Sequence, residues 1–128
     1  MHKFAITTDI KDEQSFSVFG DISLDLGRLQ TEAGAFVILE ASPPINFANY
    51  IQVASTSYKK GFFKNRHKIN RYTIEINITD SQGDLKQYEC ETGDLDEVIK
   101  ILDEYVTLCK IPDISAWVCI SKVLHGKS

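Results

Sequence analysis

The eight residues Tyr72-Thr73-Ile74-Glu75-Ile76-Asn77-Ile78-Thr79 constrain this chain more than any other stretch. Apolar and polar side chains alternate without a break. An extended backbone therefore puts Tyr72, Ile74, Ile76 and Ile78 on one face and Thr73, Glu75, Asn77 and Thr79 on the other. Such a strand needs pairing partners and a cover for its dry face. Asp80-Ser81-Gln82-Gly83-Asp84 follows as turn chemistry, so Leu85 to Cys90 reads as the antiparallel return strand.

The period then changes. Leu95, Val98, Ile99, Leu102, Val106 and Cys109 recur at steps of three and four, a helix with one apolar stripe. Asp94, with Glu97 three residues on, makes a variant capping box at its start, and Pro112 marks the expected stop. Upstream, Phe4-Ala5-Ile6 reads as a short strand before a polar segment from Thr7 to Ser15. Phe16 with Val18, then Ile22, Leu24 and Leu26, alternate as strands do, and Gly20, Gly27 and Gly34 read as turns among them. The run Phe36 to Leu39 suggests a central strand closed off by Pro43-Pro44. Tyr50 to Ala54 can pair with it through a loop of about ten residues. Ile114 to Leu124 fits a helix or a strand, with a short strand or turn and Trp117 in the core preferred. The reading is an α+β fold: an antiparallel β-sheet packed against one main C-terminal α-helix, in a single domain spanning 1–128, with a basic loop at about 57–71.

With 128 residues, 43% of them hydrophobic and 25% charged, the chain suits one self-sufficient core. No apolar run reaches the roughly 20 residues a membrane span requires, and no signal-like segment opens the sequence, so no membrane association and a cytoplasmic location are expected. Cys90, Cys109 and Cys119 leave one cysteine over in any disulfide scheme and read as core thiols in a reducing compartment. No C-x-x-C or histidine spacing suggests a metal site, and no phosphate-binding glycine motif suggests a nucleotide, so no metal and no cofactor are expected. His67 is the histidine best placed for catalysis, yet among flanking cations it reads as a surface residue. Asp94 with Asp96, and Asp103 with Glu104, read as a solvated helix face and as charges complementing the helix dipole. No catalytic residue is assigned, and the chain is expected not to be an enzyme.

Charge is segregated. Six of the fourteen Lys and Arg residues lie between 59 and 71 with no acid among them, so a chain of net charge −4 carries −10 elsewhere. From Glu75 to Glu104 ten acids face two lysines. The basic stretch, Lys59, Lys60, Lys64, Arg66, Lys68 and Arg71 with Phe62 and Phe63, has three functional readings besides a solvated loop. It could follow a phosphate backbone with rings stacked on bases, touch a membrane, or anchor a protein contact. The −10 elsewhere repels a polyanion, and two phenylalanines give a membrane little area, so a protein contact is preferred and nucleic acid is disfavoured.

Taken together, Asn49 to Ala54, Tyr72 to Ile76, the helix from Leu95 to Tyr105 and Asp113 to Trp117 resemble small bacterial immunity proteins of toxin systems, including contact-dependent growth inhibition. The resemblance covers about residues 36 to 120. Such proteins carry a YIQ-like strand, a YTVEY-like strand, a helix ending on spaced aromatics and glycine, and a late tryptophan. This chain departs from them at Ile76-Asn77, where an aromatic is usual, and at Cys109 to Pro112, which replaces the glycine turn. The resemblance implies a non-enzymatic inhibitor that binds a cognate toxin C-terminal domain, often a nuclease, and covers its active site. Asp80, Asp84, Glu89, Glu91, Asp94 and Asp96 are then the acidic toxin-binding face, although Asp80 and Asp94 also suit turn and cap roles. Lys59, Lys60, Phe62, Phe63, Lys64, Arg66, Lys68 and Arg71 are a second contact that discriminates among partners. The alternative is a small nucleic-acid-binding or regulatory protein using residues 59–71, and a small enzyme comes third.

Overall fold

The computed structural model describes residues 2–60 and 67–120, at 57–60 and 67–69 as backbone only. Its strands are β1 (Lys3–Thr8), β2 (Lys11–Phe16), β3 (Phe36–Ile45), β4 (Ala48–Lys60), β5 (His67–Thr79), β6 (Leu85–Thr92) and β7 (Val118–Cys119). The helices are α1 (Ser23–Thr31), entered through a 3-10 turn at Phe19–Ile22, and α2 (Leu95–Thr107). All strand pairings are antiparallel, in the order β2-β1-β3-β4-β5-β6-β7.

The alternation at 72–79 propagates across the sheet through the register. Ile74 stands opposite Val53 and Cys90, Val53 opposite Val37, and Leu39 opposite Ile6, so the dry positions of successive strands share one face. Both helices cover that face: Leu26 and Leu29 of α1 and Val98, Leu102, Tyr105 and Val106 of α2 form one buried cluster with it. Burying a Leu or Ile side chain stabilises by roughly 1.5–3 kcal/mol, so this layer holds most of the folding free energy. The opposite face carries no element among the described residues.

Two ion pairs fasten α1. Arg28 donates to both carboxylate oxygens of Asp9 at 2.8 and 3.0 Å, the Phe36 N–H adds a third donor at 3.3 Å, and Lys11 reaches Asp25 at 3.0 Å. The Arg28 guanidinium, with help from the Phe36 N–H, holds the Asp9 carboxyl down at about 2. At the start of α2, Asp94 accepts the Asp96 N–H at 2.9 Å, an N-cap without the reciprocal Glu97 bond.

Several expectations change. Residues 22–26 are helical, not strand. Ile22 and Leu26 satisfy both periods, but the third buried member is Leu29, and Leu24 is 88% exposed. A second helix therefore joins the C-terminal one, and Gly27 lies inside it. The polar segment from Thr7 to Ser15 contributes the end of β1 and most of β2, an edge strand whose charges suit solvent on its outer side. The Pro-Pro segment is not a long loop. β3 continues past it, with a register shift between Glu40 and Ile45, to a turn of two residues, Asn46 and Phe47, at φ of 48° and 67°.

Helix α2 ends before Pro112 because Cys109 takes a left-handed conformation, φ 51°, and Leu108 and Lys110 both donate to the Glu104 carbonyl. Cys109 is thus exposed rather than part of the apolar stripe, as is Cys119, while Cys90 is half-buried; only the last resembles a core thiol. Trp117 packs partly buried against the core, just before β7, which pairs with Tyr88 and Glu89.

The basic loop also contracts. Residues 57–60 and 67–71 are strand, paired from Ser57↔Asn70 to Lys60↔His67. The ladders to β3 and β6 stop at Ala54 and Tyr72, so this end of β4 and β5 stands beyond its neighbours as a two-stranded ribbon.

Candidate binding face

The face that no described element covers is made mostly of the wet members of each alternation, with Phe36, Ile38 and Val118 also on it by register. In one cross-strand row stand Glu40, Tyr50, Asn77 and Gln87; in the next, Gln52, Glu75 and Glu89. These side chains hold one another. Gln87 accepts from Asn77 Nδ2 at 2.8 Å and from the Tyr50 hydroxyl at 3.3 Å, and its Nε2 donates to Glu75 at 2.9 Å. The Asn77 oxygen in turn accepts from Asn49 Nδ2 at 2.8 Å, which also reaches Thr79 at 3.0 Å. Gln87 is only 6% exposed although no described helix lies over it. Fixing these side chains before any partner arrives reduces the entropy that binding must remove.

Acids outnumber cations here. Among residues described with their side chains, Glu13, Glu40, Glu75, Glu89 and Glu91 take face positions, against Lys3 and Arg71, and Arg71 is already paired with Glu91 at 3.2 Å; the register adds Lys60, described as backbone only. Glu75 and Glu89 stand directly opposite each other on β5 and β6. Like charges in that relation oppose folding.

The six acids expected to form one toxin-binding face do not. Glu89 and Glu91 lie on the open face. Asp80 and Asp84 sit in the β5–β6 turn, where Asp80 accepts from the Gln82 and Asp84 N–H groups at 2.9 Å, bonds that hold its carboxyl below the usual range. Asp94 and Asp96 begin α2, at the far end of β6. Eight strand residues separate the two ends, roughly 25 Å at about 3.3 Å per residue.

Of the basic set, Lys59 and Lys68 take opposed positions in the ribbon and Lys60 ends β4, all as backbone only. Phe62, Phe63, Lys64 and Arg66 lie outside the described residues. Arg71 is described in full. It lines an open depression with Gln30, Tyr72, Asp94 and Asp96, and a side chain at Gly93 would stand 3.2 Å from its guanidinium. The structure therefore joins one member of the basic set to two of the acidic set at the root of the ribbon.

Sequence reasoning passed over Tyr50, Gln52, Glu75, Asn77 and Gln87 as the wet half of strands. The available signal was a strand pair whose central wet positions, Glu75, Asn77, Gln87 and Glu89, hold amides and carboxylates. Among the described residues no three His, Cys, Asp or Glu side chains gather as a metal site, and no helix is long and apolar enough to cross a membrane. Compared with known proteins, the chain matches no family model, no curated protein and no solved structure.

Proposed function

We propose that this chain is a non-catalytic binding protein that seats a cationic protein surface on its uncovered sheet face. Read with the resemblance to immunity proteins, that surface belongs to a toxin domain whose active site is covered in the cytoplasm. The observation that carries the reading is the Glu75–Glu89 opposition on a face that no described element covers: two glutamates on directly paired residues weaken the ladder alone and are relieved by a cation. A nuclease active site, which attracts phosphate, is a surface of the required sign. The basic ribbon supplies a second contact to an acidic patch.

The test is co-expression with the C-terminal domain encoded by the adjacent upstream reading frame. Protection from that domain, lost in the double variant Glu75→Gln, Glu89→Gln, is the expected result. A domain that neither binds the chain nor is neutralised by it removes the reading. The ribbon favours a second reading, because a two-stranded β-ribbon fits the major groove of a duplex. Salt-sensitive retention on DNA or RNA, abolished by changing Lys59, Lys60, Lys68 and Arg71 to Gln, is its signature.

A further inference from the structure

Phe47 is the most conspicuous mismatch between residue and place among the described side chains. It occupies the second position of the two-residue β3–β4 turn at φ 67°, next to Asn46 at φ 48°, and is 73% exposed. Two consecutive positive φ values are the geometry that Asn-Gly serves best. A bulky aromatic there is strained, and exposure denies it the burial that offsets strain elsewhere. The ring is not part of the buried cluster or packed against it.

Its surroundings give it a place on the binding face. The Phe47 carbonyl accepts the Thr79 N–H at 2.9 Å, and Thr79 is both the partner of Asn49 in the polar network and the cross-strand neighbour of Leu85. Leu85 is itself a largely exposed apolar residue. Phe47 and Leu85 thus flank one end of a face whose charged positions are mostly glutamate.

We infer that Phe47 is an aromatic anchor for the partner of this face, with Leu85 beside it, and that the partner presents apolar side chains interleaved with cations. This rests on the cationic-partner reading and adds the apolar half of the recognition. Charge complementarity to the glutamates sets the cations. The exposed ring and the exposed leucine at the rim set the apolar positions, and anchors of this kind carry a large share of binding free energy.

Two synthetic peptides separate the components: one alternating arginine and leucine, the other alternating arginine and serine. The wild-type chain binds the arginine–leucine peptide about tenfold more tightly, in a salt-sensitive manner. Phe47→Gly removes that preference while its melting temperature rises by a few degrees, on the order of what relief of one strained residue gives. Phe47→Asn, which also tolerates left-handed backbone, loses the preference as well. Glu75→Gln with Glu89→Gln weakens both peptides and leaves the preference intact. Equal binding of the two peptides by wild type overturns the anchor and leaves the cationic reading standing. A preference that survives in Phe47→Gly, or a lower melting temperature in that variant, also overturns it. Binding of neither peptide at low salt overturns the cationic reading and the anchor with it.

Discussion

The two faces of the sheet are built from alternate residues of the same strands, yet they follow opposite rules. On the covered face Ile6, Leu39, Ile51, Val53 and Ile74, with Leu102 of α2 over them, are almost wholly removed from water. On the open face Tyr50, Glu75, Asn77 and Gln87 tie one another down by hydrogen bonds, two glutamates oppose each other, and a strained phenylalanine stands at the rim. The first face is arranged for folding. The second contains features that folding alone does not favour, which is the physical ground for assigning it to a partner.

The largest effect that tests this contrast is cavity formation under α2. Leu102→Ala is expected to lose about 3–4 kcal/mol in urea denaturation, whereas Thr73→Ala on the open face stays within about 0.5 kcal/mol. Equal losses would erase the distinction between the faces. The cap that starts the covering helix comes next: Asp94→Ala is expected to lower stability by about 1 kcal/mol in the same assay.

The fastening of α1 has a pH signature. Asp9 is held at about 2 when folded, against 3.8 ordinarily, so its contribution is complete only above about pH 5 and is lost as pH falls through about 2. Arg28→Ala removes that part of the acid-denaturation slope. Tyr105 sharpens the comparison from inside the covered layer. Its hydroxyl is shut in beside the Ala41 backbone without a hydrogen bond of acceptable geometry, and burial pushes the phenol well above its usual range. Tyr105→Phe is therefore expected to leave thermal stability unchanged or to raise it by up to about 1 kcal/mol. The smallest effect belongs to the open face. Glu75→Gln relieves the opposition to Glu89 and gains roughly 0.5 kcal/mol at neutral pH, despite keeping a partner for Gln87, while partner binding weakens.

The strands at 50–54, 72–79 and 85–90 and the helix at 95–107 are legible because each has a single period over several residues, and the strand at 36–39 because it is a short apolar run closed by prolines. So is the turn at 80–84, whose Asp80 and Gly83 perform the roles their residue types suggest. What misled was shorter. Ile22, Leu24 and Leu26 fit two periods at once, and Leu29, seven residues from Ile22, decides between them only when a neighbouring layer exists to bury it. The open face is half legible: Glu89 and Glu91 stand on it, but Asp80, Asp84, Asp94 and Asp96, close to them in sequence, do not. A strand carries its two ends apart by its own length, so residues adjacent along the chain became distant in space.

Sequence alone determined the alternation of β5, the hairpin after it and the apolar stripe of α2, because these depend on the order of side chains within one element. Tertiary structure decided which strands adjoin, that both helices choose the same face, and that Glu75 meets Glu89 while Phe47 adjoins Thr79 and Leu85. Those outcomes depend on register between elements far apart in the chain, and no local period encodes register. Shifting one strand by a single residue would keep every local pattern and exchange the two faces.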